Sequence, residues 1–590
     1  MLLRPKTCRR TGGVYIAVLG SSMIIALLGM CALFGQRIQN RLVVASSDIR
    51  QAQLNANAAV EIALLTMKQD ASWRTTYSNG NWFTNRSTGI GSCTANVIDP
   101  VDDTLAGGPD DPVVVTGIGY SGGAEQRVQV TVDPKKTPLT CLRSAVAAGN
   151  NITLSSDVLR TNGLTTANQI SASSSTVHGK VEAASVSGAT YTGTTTTVSS
   201  ENRPTMPDWT AVFNYYRNNG TQIDINLLPT STPNLGLNVG IENGTTSWTG
   251  TATGAGEADI SATNNFNRTS GGNYSMRVRN RDNWYAGASQ SMDSYVKQGQ
   301  QYTVEGYVYL PLSLGITRNF RFSIYTKGTN SAANQAVGAD NLIFAAIGWQ
   351  KVSGTITAPL WSGNLEYAFV KIAGDSNNSS DFYFDDFTIR ETTTGRFIYR
   401  KVLGPGVNPF GGGTNSEGIY WINCNNNRLI IERSRIVGTL LVINPGANSC
   451  IKDGPISWTP AVPGYPALLV DADTGTADFS ILATNRALSE KENTTNFNPS
   501  GAASDEFGVD SDTNDIYRSQ IRGLVAVRRD LVYGNRSITK GQIIVGNNIA
   551  NSSGELEVDY QPDSLLNPPP GFWSYTYSRR AASTRKAVLP

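Results

Sequence analysis

A charge-free, apolar stretch near the N-terminus constrains this chain more than any other feature of its sequence. It runs from Thr11 to Gln36, and its apolar part, Val14 to Phe34, is long enough to cross a bilayer once as a helix, at about 1.5 Å per residue. Nothing later in the 590 residues is comparably apolar. The short segment before it is basic, which predicts a cytoplasmic N-terminus. We therefore expect a single-pass protein of the cell membrane whose C-terminal bulk is exported to the periplasm or the cell surface.

The same helix is expected to continue beyond the membrane-spanning part. No helix breaker occurs between Gln36 and Lys68, and apolar residues recur there at spacings of three and four among charged residues. A secretory signal peptide has a shorter apolar core and ends at an Ala-x-Ala-like cleavage site, which does not fit this sequence. We predict one helix over residues 14–70, embedded in the membrane first and amphipathic afterwards.

A short motif precedes this helix. The residues Arg9-Arg10-Thr-Gly-Gly13, followed by Val-Tyr-Ile-Ala-Val, resemble the N-terminus of type IV pilins and type II secretion pseudopilins. The resemblance implies that a prepilin peptidase removes a leader, residues 1–13, after Gly12 or Gly13, and that other pilins or pseudopilins are partners. Members of this family usually carry a glutamate at the fifth mature position, where this chain has Val18 or Ala17. Minor pilins and pseudopilins are the members that tend to lack this glutamate. An ordinary single-pass anchor is the alternative.

The composition favours an exported β-protein. The chain has 58 glycines, only 16% charged residues, and short apolar runs interrupted by turn residues, a pattern typical of many strands joined by tight turns. A formal net charge of +2 gives no reason to expect a nucleic-acid partner. A chain of this length is expected to form several domains.

The cysteines permit disulfides in the exported part. Two of the six lie in the leader and the apolar helix, which leaves Cys93, Cys141, Cys424 and Cys450. An even number permits two disulfides in an oxidising compartment, and the simplest pairings are Cys93 with Cys141 and Cys424 with Cys450. The sequence alone does not fix this connectivity. No Cys-x-x-Cys motif accompanies these residues, so zinc is not indicated.

Changes in composition divide the exported part. Residues 71–138 contain Asp, Gly and Pro turns and an alternating stretch at 126–132, which predict a small β region. Residues 139–233 and 393–578 contain short strands separated by Gly and Asn turns, which predict the two parts of a β-solenoid resembling a parallel β-helix. The alternative for residues 144–200 is a disordered Ser/Thr-rich stalk. Residues 579–590 are predicted to be a basic tail.

A series of motifs fills the segment between the two solenoid parts, residues 234–392. In order, they are Asn238–Trp248, Val278–Ala288, Val296–Tyr309, Trp349–Gly354 and Asp381–Glu391. The series resembles the carbohydrate-binding modules of families four, nine and twenty-two, which are β-sandwich jelly rolls. The resemblance implies an inserted jelly roll and a polysaccharide partner. The predicted fold is therefore mainly β, with an N-terminal helix and a β-solenoid that carries the jelly roll.

One predicted strand shows how this segment can present a sugar site. Along Tyr302–Tyr309, one side carries a tyrosine and two valines, and the other side carries Glu305, Tyr307 and Tyr309. The first side can build a sandwich core. The second offers aromatic rings to the apolar faces of sugars and a carboxylate to their hydroxyls.

The resemblance adds further candidates for sugar binding. Trp284 occupies the position of an aromatic residue that stacks on the glycan, Tyr325 is a further aromatic candidate, and Arg281 and Asn283 are candidate partners of hydroxyl groups. Where xylan-binding members often have a glutamate, this chain has Lys371, which cannot accept a hydrogen bond. The glycan therefore differs, or the cleft has lost binding.

The same resemblance implies a structural calcium ion. Glu242 near the first strand and Asp385 and Asp386 near the last are brought together in the family. Calcium takes six to eight oxygen ligands, so distant carboxylates and turn carbonyls are chemically suitable.

Catalytic patterns are mostly missing from the sequence. His178 is the single histidine, and no nucleophile-elbow pattern accompanies it. Carboxylate pairs for glycoside hydrolysis stay possible, because their separation is a property of the fold. We expect a pilin-like membrane protein, not an enzyme, that displays a glycan-binding module for adhesion or polysaccharide capture. The alternatives are a membrane-anchored β-helix polysaccharide lyase or glycoside hydrolase, and a surface structural protein whose jelly roll binds nothing.

Overall fold

In the computed structural model one helix runs without interruption from Gly12 to Gln69. It is long and apolar enough to cross a membrane, which confirms the helix expected over residues 14–70. Its side chains are exposed over residues 13–47, and small residues further along are buried against a sheet. The helix packs so closely on the sheet that two sheet positions have room only for glycine. A Cβ atom at Gly117 would overlap the helix backbone at Ala56, and one at Gly119 would overlap it at Ala52.

The structure describes residues 12–70, 72–155, 157–199, 203–250, 256–375, 378–452, 454–472, 479–493, 495–502, 507–580 and 586–588. The chain divides into two compact units, Met1–Thr137 with Trp573–Pro590, and Pro138–Phe572. Residues 1–11 of the predicted leader, which comprises residues 1–13, lie outside the described residues.

The first unit is completed by an antiparallel sheet beside the helix. Its strands are Gly80–Ser87, Ser92–Ile98, Val113–Ser121, Ala124–Pro138, Trp573–Arg579 and Lys586–Val588. The first four form a meander, and the last two lie beside Ala124–Pro138. The alternating stretch 126–132 is a strand, as predicted. The C-terminal segment differs from the predicted tail, because its described residues 586–588 are paired in this sheet.

The second unit contains a set of short strands that pair in parallel, which we call the parallel stack. Its strands are Val146–Ala148, Asn151–Ser155, Val158–Thr161, Leu164–Val177, Lys180–Tyr191, Thr195–Thr197, Thr221–Gln222, Arg396–Tyr399, Val402–Leu403, Ile419–Asn423, Leu429–Glu432, Arg435–Val437, Thr439–Ile443, Ser449–Ile451, Ser457–Thr459, Pro466–Asp471, Phe479–Ile481, Gln520–Val527, Leu531–Val545 and Ile549–Tyr560. The arrangement is closed, and its interior is filled mainly by aliphatic side chains, with a few aromatic ones among them. The alternative of a disordered stalk is wrong for the described part of residues 144–200, because that part is rich in strands.

Segments far apart in the sequence meet in the parallel stack. Val146 pairs with Ile543, and Ile152 pairs with Ile549. At the adjoining turn, the amide of Asn150 donates to Asn548, 398 positions away, at 3.1 Å. The N-terminal strands of this unit therefore continue the stacking of its C-terminal strands.

Smaller elements complete the two units. A short antiparallel pair is formed by Leu488–Ser489 and Ile516–Tyr517. Helix Trp209–Asn219 begins after Asp208, whose carboxylate caps the first turn by accepting from two backbone amides. Short helices occur at Trp73–Thr76 in the first unit, and at Glu490–Asn493 and Asp563–Leu566 in the second.

An antiparallel β-sandwich is inserted in the second unit between the strands Thr221–Gln222 and Arg396–Tyr399. Its first sheet has the strands Trp248–Thr249, Gly287–Ser291, Leu365–Gly374, Thr317–Gly328, Asn334–Val337 and Asn341–Phe344. Its second sheet has the strands Asp259–Thr263, Ser275–Arg279, Phe382–Glu391, Gln301–Tyr309 and Gln350–Thr357. Alternate residues of both sheets form a common core rich in phenylalanine.

The sandwich shares buried contacts with the parallel stack. Its core is continuous with Phe397, Tyr399 and Ile430 of the stack. Charged groups are buried beside this core: Lys297 lies 2.9 Å from Glu432, which is 1% exposed, and Arg433 lies 3.2 Å from the same carboxylate. The sandwich is therefore held to the stack by apolar packing and by ion pairs.

Candidate functional site

The outer surface of the first sheet brings together several of the predicted sugar-binding residues. In strand Thr317–Gly328, Phe320, Phe322 and Ile324 point into the core, so the alternate residues Arg321 and Tyr325 lie on the opposite side. In the neighbouring strand, Phe369 and Lys371 lie on that same side. We call this surface, with Trp284 and Tyr285 from the adjoining loop, the Trp284 face.

The loop that carries Trp284 is fixed from inside by Arg281. The guanidinium of Arg281 is buried and donates to the carbonyls of Ala286 at 2.7 Å, Ser380 at 2.9 Å and Trp284 at 2.5 Å. Asn283 accepts from the Tyr285 amide at 3.0 Å. Both residues, predicted to contact hydroxyl groups, therefore hold the loop in shape.

The ring of Trp284 is half-buried, and its neighbours are polar and aromatic. Tyr285 packs edge-on against it at 5.1 Å, and the guanidinium carbon of Arg321 lies 5.5 Å from its ring centre. Neither Tyr285 nor Arg321 was predicted. The alternation of the strand that holds Tyr325 was the signal for Arg321, because residues two positions apart share a face.

Lys371 lies at the centre of the Trp284 face, opposite Ser289 and Ser323 in the two neighbouring strands. Its side chain is 2% exposed, and its ammonium donates to the Tyr285 carbonyl at 2.5 Å. Burial, together with the positive charges of Arg281 and Arg321, lowers the pKa of Lys371 to about 7, although the charge of Asp282 acts in the opposite direction.

Tyr325 is packed below the surface of this face. It stacks on Phe369 with ring centres 4.7 Å apart and planes 12° apart. The two rings are only 8% and 7% exposed, and burial raises the pKa of Tyr325 to about 12. Tyr325 therefore supports the face and offers little ring surface to a ligand.

The structure separates the remaining sugar-binding candidates from Trp284. Strand Gln301–Tyr309 belongs to the second sheet, so Glu305, Tyr307 and Tyr309 lie on the opposite outer surface of the sandwich. Their common side of the strand was predicted correctly, but they do not form one site with Trp284. The sequence could not show this, because alternation gives the face of a strand and not the sheet to which it belongs.

Protein groups already contact these three side chains. Glu305 pairs with Lys351 at 2.6 Å. The guanidinium of Arg268 lies 3.3 Å from the ring centre of Tyr307. Tyr309 packs on an aromatic cluster whose other members are Phe266, Trp349 and Tyr383.

The three residues predicted to bind calcium each contact the loop 268–274. Asp385 accepts from the backbone amides of Arg268 at 2.9 Å and Thr269 at 3.2 Å, and Asp386 pairs with the Arg268 guanidinium. Glu242 accepts from the amides of residues 273 and 274. Burial raises the pKa of Asp385. This arrangement provides hydrogen-bond donors and a cation instead of free oxygen ligands, and the calcium site stays a prediction.

The predicted disulfides are not formed. Cys93, Cys141, Cys424 and Cys450 are free, buried thiols. Cys424 points into the interior of the parallel stack, whereas Cys450 belongs to the core shared with the sandwich, so the two sulfurs face different clusters. Cys93 and Cys141 also pack in separate clusters. Burial raises the pKa of Cys141 and of Cys424 to about 12.

A polar cleft of about 530 Å³ lies on the parallel stack. Glu555, Glu557 and Asp559 project into it from alternate positions of strand Ile549–Tyr560. Glu555 pairs with Arg160, and Arg160 lies 3.3 Å from His178. The cleft thus combines carboxylates with basic groups.

Comparison with known proteins places the sandwich in a family. Residues 233–375 match the model of the family described as "Carbohydrate binding domain". This part of the chain is therefore a carbohydrate-binding module. The chain matches no curated protein.

Several solved structures are similar to part of this chain and cover about the same share of it. The xylan-binding CBM22-1 domain of Paenibacillus barcinonensis Xyn10C is 17% identical, with a TM-score of 0.24, over 28% of this chain and 99% of that domain. The C-terminal family 22 module of Clostridium thermocellum Xyn10B is 14% identical, with a TM-score of 0.22, over 26% of this chain and 92% of that module. A Stig cyclase from Fischerella sp. TAU is 16% identical, with a TM-score of 0.20, over 28% of this chain and 98% of that protein.

Proposed function

We propose that this protein is anchored in a membrane by its N-terminal helix and binds a polysaccharide through the Trp284 face of its carbohydrate-binding module. The match of residues 233–375 to the carbohydrate-binding family carries this proposal. The half-buried Trp284 ring, on a loop whose backbone Arg281 holds in place, provides an aromatic surface for a sugar ring. The function is binding for adhesion or polysaccharide capture, without catalysis.

The anchor is proposed to be a minor pilin or pseudopilin helix. Its basic leader favours a cytoplasmic N-terminus, and the rest of the chain is then exported. The exposed apolar surface of residues 13–47 suits both lipid and the helices of neighbouring subunits. A bulky second unit favours a position at a filament tip, because large domains would crowd a helical shaft.

The parallel stack is proposed to be a β-solenoid that supports the module. Strand Leu429–Glu432, for example, pairs in parallel with Arg396–Tyr399 on one side and with Ser449–Ile451 on the other, as successive turns of a solenoid do. The buried contacts between stack and sandwich give the module a rigid base.

The proposal is tested with the full-length chain in detergent micelles and a panel of insoluble and soluble polysaccharides that includes xylan, the ligand named for the Paenibacillus domain. We expect retention on at least one polysaccharide and no release of shortened products. If no polysaccharide retains the protein, the module is structural and the surface-protein alternative holds.

A second candidate function is glycan cleavage in the polar cleft of the parallel stack. Glu555, Glu557 and Asp559 alternate along one strand, so they point to the same side of it and bring several carboxylates into one cleft, as glycoside hydrolysis requires. Appearance of shortened glycans, and their loss in Glu557→Gln, would establish this function.

Calcium binding is a separate proposal for Glu242, Asp385 and Asp386. A ligand that binds only the folded state raises the melting temperature by mass action. A calcium titration of the wild-type chain and of Glu242→Ala measures this effect, and equal melting temperatures with calcium and with chelator would exclude a site of useful affinity.

A further inference from the structure

Positive charge is concentrated around the aromatic residues of the Trp284 face. Arg321 lies 5.5 Å from the ring of Trp284, and the ammonium of Lys371 lies 4.7 Å from the ring of Tyr325 and 5.5 Å from that of Tyr285. Arg281 lies beneath the same loop.

Neutral groups accept many of the hydrogen bonds from these cations. Arg281 donates to three backbone carbonyls, and Lys371 donates to the Tyr285 carbonyl. A carbonyl satisfies a donor but does not neutralise its charge. The positive charges of Arg281 and Arg321 therefore act on Lys371 and disfavour its charged form.

Acidic groups near the face compensate this charge only in part. Asp340 lies 3.3 Å from Arg321, and its side chain is 45% exposed. Asp282 is exposed at the loop and acts on Lys371, and Asp381 acts on Arg281. Exposed carboxylates are screened by water, whereas a buried ammonium is not.

We propose that the polysaccharide bound at the Trp284 face is acidic and presents uronate carboxylates to Arg321, with the buried positive charge of Lys371 adding to the attraction. This inference rests on the proposed function. A guanidinium binds a carboxylate through two parallel hydrogen bonds, and the neighbouring tryptophan ring stacks on the apolar face of the same sugar. A ligand anion also offsets the repulsion among the buried cations, which a neutral glycan does not do.

The proposal has a consequence for pH. Because burial and the neighbouring arginine charges lower the pKa of Lys371 to about 7, part of the ammonium is lost near neutral pH. A bound carboxylate favours the charged form, so binding takes up protons. A uronate stays ionised throughout this range, and the affinity for an acidic glycan therefore falls as the pH rises from about 6 to about 8.

The test compares two ligands that share one backbone. The full-length chain in detergent is titrated with polygalacturonate and with fully methyl-esterified polygalacturonate, in which the carboxylates are neutral. We expect about tenfold or tighter binding of the acidic form, weakened by salt and by raising the pH. Arg321→Gln and Lys371→Met are both expected to lower this preference. Lys327→Gln is the matched control. Lys327 lies in the same strand as Arg321, where it forms an exposed pair with Glu366.

The outcomes separate the two proposals. Equal binding of the acidic and esterified polymers, or tighter binding of neutral polysaccharides alone, would overturn the acidic-glycan inference and leave the proposed function intact. If no polysaccharide in the panel binds, the proposed function itself fails. If Lys371→Met does not fold, the partly exposed Arg321→Gln and the salt and pH dependence of the wild type still decide the question.

Discussion

The ammonium of Lys297 lies 2.9 Å from the carboxylate of Glu432, although the two residues are 135 positions apart in the sequence. Lys297 belongs to the sandwich and Glu432 to the parallel stack. Lys297 also lies 3.3 Å from Glu391, which Lys452 contacts at 2.5 Å. Ion pairs and the shared apolar core thus both join the sandwich to the parallel stack.

Removal of the Lys297 charge is expected to destabilise the second unit strongly. Lys297→Met leaves Glu432, which is 1% exposed, with less compensating charge, and breaking a buried pair in this way costs about 3–5 kcal/mol. Calorimetric or denaturant unfolding measures the loss. Lys351→Met is the control, because its pair with Glu305 is largely exposed and is worth about 1 kcal/mol or less. Equal effects of the two variants would contradict the prediction.

The Glu432 carboxylate is also expected to make the stability of the second unit depend on pH. Burial alone would raise the pKa of Glu432, but Lys297, Arg433 and Lys452 outweigh burial and lower it well below its usual range. Since the folded pKa is depressed, this stabilisation is present above the unfolded pKa of about 4.3 and is lost as the pH falls toward the folded value. Melting temperatures of the wild type and of Glu432→Gln, measured from pH 7 to pH 3, check this. A constant difference between them would contradict it.

Trp284→Ala is expected to weaken polysaccharide binding by about 1–3 kcal/mol, a tenfold or larger loss. Folding should change little, since the ring is half-buried at the outer surface. Tyr307→Ala provides the comparison, because Tyr307 lies on the outer surface of the other sheet. Affinity measurements with a retained polysaccharide decide which surface binds, and a larger loss in Tyr307→Ala would move the site to the second sheet.

Because four thiols are buried and free, we expect them to be unreactive in the folded protein. Cys93, Cys141, Cys424 and Cys450 should react with a thiol reagent only after denaturation, because burial keeps them protonated and inaccessible. A reductant should leave the melting temperature unchanged. Peptides linking Cys424 to Cys450, recovered from protein made under oxidising conditions, would refute the free-thiol assignment.

Coexpression with a prepilin peptidase tests the N-terminal motif. We expect the chain to be shortened after Gly13 or Gly12, and replacement of both glycines by leucine to prevent it. The mass of the mature N-terminal peptide is the measurement. An intact N-terminus in the presence of a competent peptidase would leave the ordinary anchor.

Local patterns determined a large part of the fold. The apolar run and the absence of breakers gave the helix Gly12–Gln69, because hydrogen bonds within a helix join residues four positions apart. Alternation gave the inward and outward sides of Gln301–Tyr309, because successive side chains of a strand point to opposite faces. The order of motifs between residues 234 and 392 gave the carbohydrate-binding module.

Tertiary structure decided how these parts meet. Only the pairing of strands shows that Trp284 and Tyr307 lie at opposite surfaces, that Val146 continues the stacking of Ile543, and that Cys424 and Cys450 face different cores. Each of these relations joins segments whose separation in the chain carries no information about their distance in space. They are set by which apolar faces are buried together, and that depends on the whole chain at once.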